Sequence, residues 1–324
     1  MALWRPDISA ESEPMRVLIK RGEFVDPARD GRAIPYKIYY PDAVADGAAA
    51  GFAAPYPLII WSHGLGGTRD GASFIARYVA AHGYILAHIQ HDGTDDSLWR
   101  NENGHPWDAI RRKMPVPWEV VKNRYLDVHV ALDSLTEMLG NDPAIAPIID
   151  MAQIGMSGHS FGALTTQVMA GQAVGKGANP EFFTDPRFKA GILYSPVPNF
   201  RLDIPVEDIY GPIGIPLLHM TGTNDESPVE GFGHDKRIEV WNHANGPEQH
   251  LITIAGADHM VFNGSRGQLL DYATIDEDKD VIKIMSLAWW DAFLKDDAAA
   301  MAWIKSGGPQ NWLGEKAEYL YKNG

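Results

Sequence analysis

What most constrains the fold of this 324-residue chain is a change of hydrophobic period that repeats along most of its length. Short apolar runs at Pro57–Ser62, Tyr84–Gln90, Ile154–Ser157, Ala190–Tyr194, Pro216–Thr221 and His250–Ile254 alternate with helical spacing at Gly71–His82, Glu119–Leu139, Phe161–Ala170, His234–His243 and Val281–Lys295. In the Glu119 stretch, Val121, Tyr125, Val128, Leu132 and Leu135 recur every three or four residues, which puts them on one stripe of a helix. Strands separated by helices in this way build a mostly parallel central sheet with helices on both faces, so the expected class is α/β. Ahead of that pattern, Arg16–Ile19 and Ala33–Tyr40 read as antiparallel N-terminal edge strands. No linker interrupts the series, and residues 1–324 are read as one domain.

Three stretches fall outside the pattern. Ala43 to Ala54 is rich in Ala and Gly and reads as a loop between strands. Residues 91–118 and 171–189 are too long for plain turns, and connections of that length in a compact domain are usually lids or binding loops. The first carries Trp99, Trp107 and Trp118, and Trp107 and Trp118 are taken as candidates for a substrate pocket.

The chemistry begins at Gly158-His159-Ser160-Phe161-Gly162, a G-x-S-x-G pattern. Alone it is too short to mean much. Here it follows the strand Ile154–Ser157 and opens the helix from Phe161, the context in which a sharp strand-to-helix turn exposes a serine hydroxyl above the sheet. Glycines flank it because a Cβ at either place collides with neighbouring backbone. An acyl-transfer site also needs donors for the oxygen that becomes negative. The backbone N–H of Phe161 supplies one, and that of Leu65, in the Gly-rich turn Ser62-His63-Gly64-Leu65-Gly66-Gly67, supplies the second. His63, inside that turn, is read as structural.

A serine hydroxyl needs a base, and the base needs a carboxylate to orient it. In a strand–turn–helix nucleophile fold these follow in the order Ser, acid, His. Of the histidines after Ser160, His219 and His250 fall in strands and His234 and His243 on a helix. Only His259 sits in a loop past the last strand, so it is the candidate base. Asp225, just after the strand Pro216–Thr221, is the candidate acid, with Glu226 as the alternative one residue on. Asp258 reads as a turn or capping residue. Activity is expected to fall as the His259 imidazole protonates below about pH 6.5.

Beyond these motifs, Val79-Ala80-Ala81-His82-Gly83-Tyr84, Tyr125-Leu126-Asp127-Val128, Gly222-Thr223-Asn224-Asp225 and Asp258-His259 accompany the turn at Ser62 and the Ser160 motif. Together they resemble the platelet-activating-factor acetylhydrolase and dienelactone-hydrolase-like branch of the α/β-hydrolases, over roughly Pro57 to Phe262. The resemblance implies the α/β-hydrolase fold and an esterase or lipase-like acyl hydrolase, with Leu65 and Phe161 as oxyanion donors. Dienelactone hydrolases proper use a cysteine, and this chain has none.

The composition narrows the alternatives. With no cysteine, disulfides, thiolate catalysis and zinc–sulfur sites are excluded. A formal charge of −14 argues against nucleic acid as a partner. No stretch reaches the ~20 apolar residues of a membrane span, and no apolar run of signal-peptide length opens the chain, so the expected compartment is cytoplasmic, with a secreted or periplasmic one as the alternative if a signal peptide has been trimmed. His88, His91, Asp92, Asp95 and Asp96 lie close in sequence. His88 and His91, three apart at a strand end, face opposite sides, so no metal is expected. There is also no dinucleotide fingerprint or P-loop, so no cofactor is expected. The expected activity is carboxylic-ester hydrolysis of a small molecule through an acyl-enzyme. Amide, peptide or thioester cleavage by the same triad is the alternative, and a non-catalytic binding protein on the same scaffold the more remote one. The oligomeric state is left open.

Overall fold

Nine strands of one twisted sheet organise the chain in the computed structural model, which describes residues 3–42, 54–264 and 273–323. The strands and helices run β1 (Val17–Asp26), β2 (Arg32–Pro41), β3 (Tyr56–Ser62), α1 (Ser73–Ala81), β4 (Ile85–Ile89), α2 (Pro106–Arg112), α3 (Trp118–Asn141), β5 (Ile149–His159) and α4 (Phe161–Ala170). They continue with β6 (Val174–Lys176), β7 (Asn179–Glu181), β8 (Phe188–Tyr194), α5 (Val206–Tyr210), β9 (Leu217–Asn224), α6 (His234–His243) and β10 (Gln249–Asp258). The last elements are α7 (Ile275–Leu294), α8 (Ala298–Ile304), α9 (Gly308–Leu313) and β11 (Ala317–Lys322). The Ala43 to Ala54 loop, apart from Ala54, lies outside the described residues.

The sheet order is β1-β2-β4-β3-β5-β8-β9-β10-β11, with β6 and β7 as a separate hairpin. The strands from β4 to β10 are parallel, while β1, β2 and β11 are antiparallel to their neighbours. This is an α/β-hydrolase-type architecture. β3 is buried along its whole length, as an unalternating run demands of a strand covered on both faces. One face packs on α1, α7 and α8, where Trp289 and Trp290 lie among the buried side chains. A Cβ at Gly155 of β5 would stand 2.6 Å from the Trp290 ring, so that strand must carry glycine to let the helix approach. The other face packs on α3 and α4 through Tyr125, Leu132, Val168 and Met169.

The elements that escape the sequence pattern are mostly short. α5, α8 and α9 have five to seven residues, too few for periodicity to declare itself. The edge strand β11 alternates buried and exposed positions, Ala317 and Tyr319 facing in. Neither long connection is structureless: residues 91–118 contain α2, and residues 171–189 contain the β6–β7 hairpin. α7 starts at Ile275, ahead of the expected Val281, with Asp276, Glu277 and Asp278 in its first turn, where carboxylates favour the positive end of the helix dipole.

What matters for function is register. Ser62 pairs with Gly158, His159 with Tyr194, and Asn224 with Asp258. The parallel strands therefore release their following turns side by side at one edge, the C-terminal edge where open α/β sheets bind ligands.

Candidate active site

Ser160 sits between β5 and α4 with φ 55° and ψ −116°, a conformation few L-residues tolerate. Its N–H donates to the Tyr194 carbonyl at 2.8 Å, and its own carbonyl accepts from Leu164 N–H at 3.0 Å, so neighbouring strand and helix hold it there. The flanking glycines are obligatory. A Cβ at Gly162 would lie 1.9 Å from the Ser62 carbonyl oxygen, and one at Gly158 would lie 2.4 Å from the backbone of Gly162. The turn can form only because backbone packs on backbone.

Beside it, the turn after β3 is pinned at several points. Gly66 N–H donates to the Thr94 carbonyl at 2.8 Å, and the Trp99 indole N–H to the Gly66 carbonyl at 2.7 Å. His63 is fully buried; Nδ1–H donates to the Gly64 carbonyl at 2.7 Å, and Nε2 accepts the His91 N–H at 3.0 Å. Burial, followed by the charge of Arg124, keeps that imidazole neutral by pushing its pKa well below the usual range. Both ring nitrogens are occupied, so it acts as a brace. Leu65 and Phe161 both line the cavity above. Phe161 opens α4, and the N–H groups of a first helical turn have no partner within the helix.

Under these turns lies a buried polar network that the sequence did not announce. The Arg124 guanidinium, from α3, donates to Thr165 Oγ1 (2.7 Å), Thr94 Oγ1 (2.9 Å), Ser62 Oγ (2.9 Å) and the His63 carbonyl. It also lies 4.6 Å from the centroid of the Phe161 ring. His91 bridges Ser62 Oγ (2.8 Å) and Asp127 (3.1 Å), and Asp127 in turn takes Arg32 and Arg29 from the N-terminal hairpin. Asp127 belongs to the Tyr125–Val128 segment that contributes to the family resemblance. Arg124, just before that segment, carries no motif signal because its role depends on four partners scattered from Ser62 to Thr165.

Asp225 and His259 meet across the ends of β9 and β10. His259 Nδ1 stands 2.7 Å from Asp225 Oδ1, and both side chains are buried. Thr221 Oγ1 donates to the second oxygen, Oδ2, at 2.9 Å. Burial works to raise the carboxyl pKa, but the charge of Arg237 and the interaction with His259 outweigh it and hold the pKa well below the ordinary range. An ionised Asp225 can only accept, so Nδ1 carries the imidazole proton and Nε2 is left as the acceptor. Burial, with Arg237 behind it, lowers the His259 pKa, which moves the expected acid limit of activity below pH 6.5. Glu226, the alternative acid, is exposed. Asp258 is buried and caps the next turn, accepting from Met260 and Val261 N–H at 2.9 and 3.0 Å.

Ser160, His259, Leu65 and Phe161 line one cavity of about 730 Å³. Its further walls come from Trp99, Trp107 and Ile110 on one side and Val229 and Phe232 on another. Trp118 is not among the cavity residues: its indole N–H donates to Glu181 Oε1 at 3.0 Å and its ring packs near Tyr125, which turns it toward the β6–β7 hairpin. His88 stacks on Trp61, away from His91 on the opposite side of the strand. Among the described residues no group of three or more His, Asp or Glu is arranged to hold a metal ion. Among them, too, no helix is long and apolar enough to cross a membrane.

Architecture and turn geometry place the chain with α/β-hydrolase-type proteins. Comparison with known proteins then points where the motifs did. Residues 43–100 match the family model described as platelet-activating factor acetylhydrolase, isoform II. Proteins named platelet-activating factor acetylhydrolase from Canis lupus familiaris and Bos taurus are 27% and 26% identical over 236 residues, covering 64% of this chain and 48% of each relative. The protein of that name from Cavia porcellus is 24% identical over 301 residues, covering 80% of this chain and 63% of the relative. The chain thus spans about half the length of the first two. The matched family segment carries β3, the turn after it, α1 and β4, and ends before α2.

Proposed function

We propose that the protein is a serine hydrolase of carboxylic esters, working through an acyl-enzyme on Ser160. One observation carries the reading: a buried His259–Asp225 hydrogen bond of 2.7 Å ends in the wall of the cavity that Ser160 enters from its strained turn. The names of the similar proteins, which describe hydrolytic removal of an acetyl group, support the same class of reaction.

In the proposed sequence, Ser160 Oγ attacks the ester carbonyl carbon while His259 Nε2 takes its proton. Asp225 fixes the tautomer and stabilises the imidazolium that results. The carbonyl oxygen becomes negative and is met by the N–H groups of Leu65 and Phe161. His259 returns the proton to the departing alcohol, leaving the acyl group on Ser160. Water, deprotonated by the same imidazole, then adds to the acyl carbon, and the bond to Ser160 Oγ breaks as His259 returns the proton to it, which frees the acid. The substrate is a small-molecule ester, with the acyl or alcohol part held against the apolar walls.

The test is turnover of a p-nitrophenyl ester series with covalent labelling by a fluorophosphonate. Ser160→Ala is expected to lose both labelling and turnover, the latter by on the order of 10⁴-fold or more. Retention of most activity in that variant would refute the assignment.

A further inference from the structure

Behind the His259–Asp225 pair stands a charge that the reaction just described does not use. Arg237, in the first turns of α6, is 1% exposed. Its Nε lies 2.9 Å from Asp225 Oδ1, the same oxygen that receives His259 Nδ1–H. One terminal nitrogen, Nη2, approaches His259 Nδ1 to 3.0 Å. Nδ1 already carries its proton toward Asp225, so this approach is no hydrogen bond: two N–H groups face each other. The rest of the guanidinium is fixed by the carbonyls of Asp225 (3.0 Å), Pro196 (3.0 Å) and Ser195 (3.3 Å), and it lies 4.7 Å from the centroid of the Phe232 ring. It has no room to swing away.

We propose that Arg237 is a positioning and tuning residue for the base: by sharing Asp225 Oδ1 and abutting His259 Nδ1, it disfavours the imidazolium and extends turnover into mildly acidic solution. The proposal rests on the serine-hydrolase reading and names a residue that reading leaves out. Every charged or titratable group facing this imidazole enters the balance. Asp225 from the turn after β9 favours the cation, as does Asp258 beside it in the chain. Arg237 from α6 opposes it. His159, whose ring centroid is 4.5 Å away and whose Nε2 meets the His259 carbonyl at 2.8 Å, is itself kept neutral by burial and adds no charge. Glu230 faces Arg237 rather than the imidazole and partly offsets its charge.

The sign follows. His259 must be neutral to accept the serine proton, so the rate falls as pH drops through its pKa. A cation in contact lowers that pKa and moves the fall to more acidic pH. Removing the cation also returns Asp225 Oδ1 wholly to His259, which again favours the imidazolium. Both effects of neutralising Arg237 push the acid limb upward.

The experiment compares wild type, Arg237→Gln and Arg237→Lys by the pH profile of kcat/KM on a p-nitrophenyl ester and by NMR titration of the His259 imidazole. The expected result for Arg237→Gln is an acid limb and an imidazole midpoint both raised by about one pH unit, with Arg237→Lys closer to wild type. A residue that merely braces the loop would change stability and plateau rate and leave the midpoint in place. A midpoint in Arg237→Gln that coincides with wild type overturns the proposal. Should Arg237→Gln fail to fold, the neutral Arg237→Met decides by the same NMR titration: a midpoint raised above wild type supports the role of charge, and one that coincides with wild type overturns it. Because the NMR midpoint does not depend on turnover, absent ester activity with a shifted midpoint would sink the proposed function and the claim about turnover, and leave standing only the effect of Arg237 on the imidazole.

Discussion

The two sides of the cavity are held by different physics. Below Ser160, the turns after β3 and β5 touch backbone to backbone and rest on Arg124, His91 and Asp127, each fully buried with its hydrogen bonds directed. Across the opening, α2 and its approaches are held by half-exposed ion pairs such as Lys113–Glu102 (2.9 Å) and Arg111–Asp108 (3.0 Å), and by Arg111 Nε donating to the Pro228 carbonyl at 2.9 Å. Exposed pairs are screened by solvent and contribute little, whereas breaking a buried charged network costs about 3–5 kcal/mol. Glycines tell the same story. Gly162 admits no Cβ because backbone crowds it, whereas at Gly104, in the 91–118 connection, a Cβ would meet nothing within 4 Å and only the local φ of 97° calls for glycine. In the proposed reaction the floor fixes where charge develops, while the wall is free to vary with what must fit.

The largest expected break in that contrast is Gly162→Ala. A methyl group 1.9 Å from the Ser62 carbonyl oxygen cannot be absorbed by a flexible side chain, so β3 or the start of α4 must shift. Destabilisation of about 4 kcal/mol or more is expected, at the severe end of single substitutions, and urea denaturation measures it. A variant as stable as wild type would mean that the turn is not so tightly packed.

Next in size is Arg124→Met. It fills much of the same volume but strips four acceptors of a charged donor, among them the His63 carbonyl in the turn that carries Leu65. A loss of about 3 kcal/mol of stability is expected, together with a fall in kcat larger than any rise in KM, because in the proposed reaction a displaced Leu65 N–H weakens the transition state more than substrate binding. An unchanged kcat in a destabilised variant would confine Arg124 to folding.

These contrasts explain what the sequence made legible. The strands around β3, β5, β8, β9 and β10 are apolar runs whose period is set by double-sided burial, so they can be read directly. Ser160, Leu65, Phe161, Asp225 and His259 follow from which turn each occupies after those strands. Arg124 and Arg237 could not be found in that way. Each is a charged residue in a helix, where the ordinary expectation is solvent, and each is buried only because partners distant in sequence converge on it. The wall was hardest. Its tryptophans are adjacent in sequence to the right region, but their direction depends on where α2 and α3 begin.

That dependence allows the smallest and most selective test. Trp107 is in the first turn of α2 and lines the cavity, whereas Trp118, at the start of α3, points its indole N–H to Glu181. Both lie in the connection that the sequence marks as pocket-forming, and only the first is placed to touch an acyl or alcohol chain. Trp107→Ala is therefore expected to change chain-length preference across a p-nitrophenyl ester series by about 10-fold in relative kcat/KM, the scale of a lost methylene contact or two. Trp118→Ala is expected to leave the preference alone and lower stability by about 1–2 kcal/mol through its lost packing on the α3 side. Opposite results, with Trp118 setting preference and Trp107 silent, would mean that the wall closes differently over bound substrate, and that the softness of this side extends to which residues form it.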